Sequence, residues 1–155
     1  MENDVIDSTD RRILAILQED ATVPIAEIAE RVGLSQTPCW KRIKRLERDG
    51  LIVRRVALLD RDRLGLGVTV MVAVRTAQHD DQWLQSFAEG VSRIPEVVEF
   101  YRMSGDVDYL LKIVARDIPD YDRIYRKLTK VAPLHDVSSS FAMQEIKSTT
   151  ALPLD

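Results

Sequence analysis

Apolar and polar positions along this chain change their period once, near residue 67, and that change divides the chain in two. Before it the spacing is helical. Ile13, Leu14 and Leu17, with Ile16 beside them, make the apolar face of a first helix. Asp7 or Ser8 can cap it, and Asp10 falls early, where the helix dipole favours an acid. Residues 21–23 break the pattern. Pro24 then opens a short second helix with Ile25, Ile28, Ala29 and Val32 inside, and Gly33 ends it. Residues 34–50 read LSQTPCWKRIKRLERDG. Ser35 and Thr37 can cap this third helix, Pro38 suits only a first turn, and Gly50 follows the last periodic residue. Cys39, Ile43 and Leu46 form one narrow apolar stripe, while Trp40, Lys41, Lys44, Arg45 and Arg48 fall on the other side. Helix, short helix, glycine turn and basic helix is the order of a helix-turn-helix unit.

After Gly50 the run LIVRRVALLD is rich in β-formers, interrupted by Arg54 and Arg55. It reads as the wing hairpin of a winged helix-turn-helix domain, the expected form of the N-terminal domain, though a plain linking strand fits too. Residues 60–67 (DRDRLGLG) are a polar, glycine-containing junction. The domain boundary is expected there, with residues 1–60 the first domain and 61–155 the second.

From Val68 the period becomes two. Val68, Val70, Val72 and Val74 alternate with Thr69, Met71 and Ala73, a strand apolar on both faces and therefore central or covered. Leu84, Phe87, Val91 and Ile94 predict a helix that Pro95 stops, with a strand over 97–103. A tight turn at 104–106 leads to a strand over 109–115. Ile118, Tyr121, Tyr125 and Leu128 predict a second helix ending before Pro133, and 137–146 a last strand. The order β-α-β, β-α-β predicts a ferredoxin-like α+β domain, a four-stranded antiparallel sheet with both helices on one face. Val98, Phe100, Leu110, Val114 and Phe141 fall on the opposite parity, leaving a far face expected to be covered by a second copy. A dimer would present two recognition helices to two half-sites.

Charge sharpens the first half of this picture. The net charge of −3 comes from 22 bases and 25 acids, unevenly placed. Residues 1–35 carry eight acids and three bases, and residues 36–55 carry seven bases and two acids. One concentrated basic segment in an acidic protein points to a local phosphate-binding surface. The single cysteine rules out an internal disulfide framework. No stretch approaches ~18 consecutive apolar residues, and the acidic N-terminus lacks a signal-peptide pattern, so a cytoplasmic protein is expected, with no membrane partner.

Motifs in this order resemble those of a known family. They are D-x-x-D-R-R-I-L-x-x-L-Q from Asp7, AEIAERVGLS at 26–35, TPCWKRIKRLERDGLI at 37–52, SGDVDYLL at 104–111 and SSFAMQEIKSTTALPL at 139–154. The chain resembles the leucine-responsive/asparagine-regulator (Lrp/AsnC) family of feast/famine transcription regulators. The resemblance implies a DNA-binding N-terminal domain, a linking strand and a C-terminal effector-binding (RAM) domain that forms dimers and often octamers. It also implies an amino-acid effector and work on the nucleoid. The TPCWKR and TTALPL stretches are most similar to regulators of cysteine breakdown, with proline- and glutamate-linked regulators nearby. Cysteine, proline, glutamate and branched-chain amino acids are therefore the candidate effectors.

Candidate site residues follow. Ser35, Gln36 and Thr37 sit at the end of the third helix that reaches base edges; Gln suits adenine and the Thr methyl suits thymine. Trp40, Lys41, Lys44, Arg45 and Arg48 line its outer face, where bases bind phosphates. Arg42 lies off that face, as a phosphate clamp or as an ion-pair partner of Glu47 or of an acid in the first helix. Cys39, on the buried stripe, is expected to pack as a small hydrophobe. In the second domain, Gly105, Asp106, Asp108 and Tyr109 form a turn whose N–H groups suit an α-carboxylate and whose acids suit an α-ammonium, with Ser139 and Ser140 completing it. His79 and His135 lack metal-spaced partners, and no phosphate loop or nucleophile motif is present, so no metal, cofactor or enzymatic activity is expected. The competing class is an architectural protein that compacts DNA without a specific effector.

Overall fold

The first helix begins where its cap was expected. A computed structural model describes residues 6–131, 134 and 136–154; the helix stop expected at Pro133 and the turn histidine His135 lie outside the described residues. Asp7 Oδ1 accepts from the Asp10 N–H at 2.8 Å, and Asp10 Oδ2 accepts from the Asp7 N–H at 3.2 Å. This reciprocal box starts α1 (Ser8–Glu19). Pro24 precedes α2 (Ile25–Val32), which ends at Gly33 with φ 74°, a left-handed backbone that lets the Leu34 N–H reach Ala29 O at 2.9 Å. Arg12 of α1 donates to the Arg31 and Val32 carbonyls at 2.5 and 3.5 Å, tying α1 to the end of α2. Helix α3 (Gln36–Arg48) starts after Ser35, whose side chain makes no capping bond.

Ile13, Ile28, Ala29, Val32, Cys39, Ile43 and Leu46 are buried together between these helices. Full burial of an Ile or Leu contributes about 1.5–3 kcal/mol, so this small core depends on each member. Beyond Ile52 the chain runs to residue 59 without helix or strand, and Val53 is 86% exposed. It is a plain link among the described residues, with no wing hairpin.

The second domain is a four-stranded sheet in the order β2-β3-β1-β4, with every neighbouring pair antiparallel. Its strands are β1 (Val68–Arg75), β2 (Val97–Arg102), β3 (Tyr109–Ala115) and β4 (Asp136–Phe141). Helices α4 (Asp81–Ser92) and α5 (Ile118–Val131) connect them. This is the ferredoxin-like βαββαβ arrangement read from the periodicity. Val70, Val72 and Val74 face Phe87, Val91, Ile124 and Leu128 in one core. Asp80 caps α4 by accepting from the Trp83 N–H at 2.8 Å.

Two strand assignments need correction. Phe100 pairs with Leu111 and Phe141 with Val70, so both lie on the helix-covered face and not on the far one. Phe100 meets Phe87 edge-on at 5.6 Å, and Phe141 meets Tyr121 at 5.2 Å. The cause in β2 is an irregularity between Val97 and Glu99, which inserts a residue and inverts the parity beyond it. The far face is thus a smaller apolar centre of Met71, Ala73, Leu110 and Val114, with Glu99, Tyr101, Lys112, Ser138 and Ser140 around it. Strand β4 stops at Phe141, short of the expected 146, because only the Ala142 N–H continues the ladder, to Thr69 O at 2.9 Å.

The chain separates into Met1–Leu58 with Lys147–Asp155, and Leu59–Ile146. The C-terminal residues, expected in the second domain, belong to the first. The Gln18 side chain explains this: its Nε2 donates to Leu152 O at 2.9 Å and its Oε1 accepts from the Leu152 N–H at 2.8 Å. Arg11 adds a bond to Leu154 O at 3.2 Å. The chain therefore passes between the two units twice, once on each side of the sheet domain in sequence.

Candidate nucleic-acid interface and ligand site

The outward face of α3 is continuous. Ser35, Gln36, Thr37, Trp40, Lys41, Lys44 and Arg48 are all exposed, and they step along one side of the helix opposite the buried Cys39, Ile43 and Leu46. Arg42 and Arg45 are half-buried and turn inward. Arg42 Nη1 lies 2.6 Å from Asp7 Oδ2 and 2.9 Å from Asp10 Oδ1. Arg45 Nη2 pairs with Asp10 Oδ2. Of the alternatives open for Arg42, the geometry shows an ion pair with acids at the start of α1. The Asp10 N–H and then the Arg42 guanidinium hold the Asp7 carboxyl below its usual range, and Arg42 is raised in turn by Asp7 and then Asp10.

The remaining bases of this segment have looser partners. Lys44 pairs with Glu47 at 2.8 Å, Arg55 with Glu47 at 3.0 Å and Arg48 with its neighbour Asp49 at 2.9 Å. Among the described residues Lys41 and Arg54 take part in no ion pair. Exposed pairs of this kind are each worth about 0–1 kcal/mol, so their cations can exchange to a phosphate at little cost. Cys39 is 0% exposed, and burial pushes its thiol up, which disfavours the reactive thiolate. It packs as the apolar spacing indicated.

In the sheet domain the 103–109 turn is closed by the Met103 N–H, which donates to Asp108 O at 2.8 Å. Gly105 has φ 111°, a conformation that favours glycine. Asp106 is exposed, whereas Asp108 Oδ2 already accepts the Thr76 N–H at 2.8 Å. Tyr109 is 4% exposed, its ring packed on Phe87 at 5.1 Å and Phe100 at 5.8 Å. Ser139 and Ser140 alternate across β4. Ser139 Oγ meets the Tyr121 hydroxyl on the helix side, and Ser140 sits opposite Met71 on the open side. Strand β1 stands between β4 and the strand that follows the turn, so within one chain the structure does not bring Ser139 and Ser140 to the turn they were expected to complete.

Two residues missed from sequence belong to these sites. Asp10 looked like a helix-start acid, yet it is 0% exposed and holds both inward arginines. An Arg42 pair with an acid of the first helix was one expected alternative, but nothing in the sequence singled out Asp10 or brought Arg45 to it. Trp83 stacks on Phe87 at 4.9 Å and lies 6.2 Å from Tyr109, and its indole N–H is buried without an acceptor among the described residues. Among the described residues no group of His, Cys, Asp or Glu is arranged to hold a metal, and no helix is long and apolar enough to cross a membrane.

A basic helix presented by a three-helix unit, followed by a ferredoxin-like domain with a polar turn, defines a DNA-binding protein with a small-ligand domain. Residues 6–53 match the family model described as winged helix-turn-helix DNA-binding, and residues 69–152 match the one described as Lrp/AsnC ligand binding domain. The chain belongs to the Lrp/AsnC family, whose members are transcription regulators and not enzymes. It is 50% identical over 149 residues to the glutamate uptake regulatory protein of Zymomonas mobilis, covering 96% of this chain and 91% of that one. It superposes with a TM-score of 0.94 and 57% identity on the crystal structure of an AsnC family transcriptional regulator from Agrobacterium tumefaciens, covering 96% of this chain and 97% of that one. The Neisseria meningitidis regulator NMB0573, solved as a complex with L-Met, is 35% identical with a TM-score of 0.92, covering 97% of this chain and 98% of that one.

Proposed function

We propose that this protein is a sequence-specific transcription regulator of amino-acid metabolism, working on double-stranded DNA in the cytoplasmic nucleoid. The observation that carries this reading is the single exposed face of α3, on which Ser35, Gln36, Thr37, Trp40, Lys41, Lys44 and Arg48 line up opposite a buried stripe. Gln36 and Thr37 take the base-reading positions, and the bases behind them take phosphates. A homodimer, with octamers built from it, brings two such helices to two half-sites; the apolar centre of the open sheet face supports that assembly. An architectural, DNA-compacting role is the alternative, and it predicts binding without preference for a site.

The effector is a small amino acid held at the turn of Gly105, Asp106 and Tyr109, between C-terminal domains. Free N–H groups at a glycine turn suit its carboxylate, and exposed Asp106 suits its ammonium. The L-Met complex of the Neisseria relative and the name of the Zymomonas regulator support an amino acid and keep glutamate among the candidates, with cysteine, proline and the branched-chain residues. Such an effector acts only if it binds two assemblies of the protein unequally.

A thermal-shift screen of all twenty amino acids tests the effector half. Trp83 supplies a local check: in Trp40→Phe protein the remaining indole, 6.2 Å from Tyr109, should change emission with the same amino acid that raises the melting temperature. No shift and no emission change with any of the twenty would remove the effector reading.

A further inference from the structure

The bases of α3 divide by what they touch, and the division assigns roles. We propose that Arg42 and Arg45 are positioning residues that lock α3 onto α1 through buried Asp10, while Lys41, Lys44 and Arg48 carry the phosphate contacts; this rests on the DNA-binding reading above. Asp10 is 0% exposed, and a carboxylate that deep is tolerated only when paired and hydrogen-bonded. Both of its oxygens are used. Oδ1 takes Arg42 Nη1 at 2.9 Å; Oδ2 takes Arg45 Nη2 and the Asp7 N–H at 3.2 Å. Arg42 and Arg45 stand three residues apart, so they brace one side of α3 over almost a full turn.

Redirecting either guanidinium to a phosphate would weaken the compensation of Asp10. Among the described residues Lys41 has no ion-pair partner to leave, and Lys44 and Arg48 would leave Glu47 and Asp49, both at the end of their own helix. Phosphate binding therefore falls to the outward set, and the inward pair sets the angle at which Gln36 and Thr37 are offered to base edges. Geometry of that kind affects recognition of one sequence more than adhesion to any duplex.

The test compares full-length wild type with Lys41→Ala, Arg45→Ala, Arg45→Lys and Asp10→Asn. Affinity for an operator fragment and for a scrambled duplex is measured across a salt series, with folding checked by thermal melting. Lys41→Ala should flatten the log K against log salt slope by about 1.8 on both duplexes, the loss of one phosphate contact at each of the dimer's two helices. Arg45→Ala should keep the slope on both and lower the operator-to-scrambled ratio, and Arg45→Lys should restore part of that ratio. If Arg45→Ala does not fold, Asp10→Asn, close in shape, carries the same expectation: a lower ratio without a flatter slope. A ratio unchanged in Arg45→Ala with a slope flattened as in Lys41→Ala would overturn the assignment and make Arg45 a phosphate ligand. An unchanged ratio in Asp10→Asn would overturn it too. Wild type that binds neither duplex would overturn the DNA-binding reading itself, a result distinct from either of these.

Discussion

The Thr76 N–H donates to Asp108 Oδ2 at 2.8 Å, so the residue whose backbone carbonyl closes the 103–109 turn also pins, through its carboxylate, the chain leaving β1. The Asp108 N–H donates in turn to Val74 O at 3.0 Å. Two acids in one short turn thus have different work, one structural and one free. Asp108→Ala should lower stability by about 1–3 kcal/mol, the usual cost of leaving a half-buried N–H without its partner. Asp106→Ala should change stability by no more than about 0.5 kcal/mol and weaken effector binding. Urea unfolding separates the first effect and calorimetric titration the second. Equal stability losses in the two variants would refute this division.

Asp120 is the acid on which pH should act most clearly. It accepts from the Arg116 N–H at 3.0 Å, from the Arg116 guanidinium at 3.2 Å and from Arg123 at 2.8 Å. The Arg116 side chain, then its N–H, then Arg123 hold the Asp120 carboxyl well below the usual carboxylate range. In the unfolded chain an aspartate titrates near ~3.9. The folded value lies lower, so between the two the unfolded chain binds the proton that the folded chain refuses. The stabilisation is complete above the unfolded value and is lost as pH falls toward the folded one. The gap in melting temperature between wild type and Asp120→Asn should therefore be widest near neutral pH and narrow below about pH 4. A gap constant from neutral pH down to about pH 3 would mean that the ionised form makes no special contribution.

Gly90 sits in the last turn of α4, where alanine in place of glycine ordinarily stabilises a helix by up to about 1 kcal/mol. Here the sign should reverse. A Cβ at Gly90 would overlap Val131 Cγ1 of α5, so the glycine allows the two helices to approach. Gly90→Ala should cost about 1–3 kcal/mol by overpacking, read as a lower urea midpoint with the slope of the transition unchanged. Pairing it with Val131→Ala should recover part of the loss; a Gly90→Ala protein more stable than wild type would contradict the contact.

Helix starts and buried stripes were legible because they are local: the Asp7 box, Pro24, Gly33 and the Cys39, Ile43, Leu46 spacing all announce themselves within a few residues. The order of strands and helices was legible for the same reason. What escaped depended on contacts distant in sequence. The irregularity near Val98 has no residue signature, and it moved Phe100 to the other face of the sheet. The return of Leu152 to Gln18 spans 134 residues and leaves no periodic trace. Arg45 has the spacing of an outward residue, but its long side chain reaches back to an acid 35 positions earlier. For Arg45 the Cα position was readable and the reach of the side chain was not; for Phe100 and Leu152 it was the path of the backbone that could not be read.

Footprinting along a promoter fragment, with and without the amino acid that shifts the melting temperature, tests the central claim most directly. The expected result is a discrete protected site with helically phased boundaries, whose extent or affinity changes when that amino acid is added. Uniform protection of the whole fragment, indifferent to every amino acid, would contradict a site-specific, effector-responsive regulator and favour an architectural one.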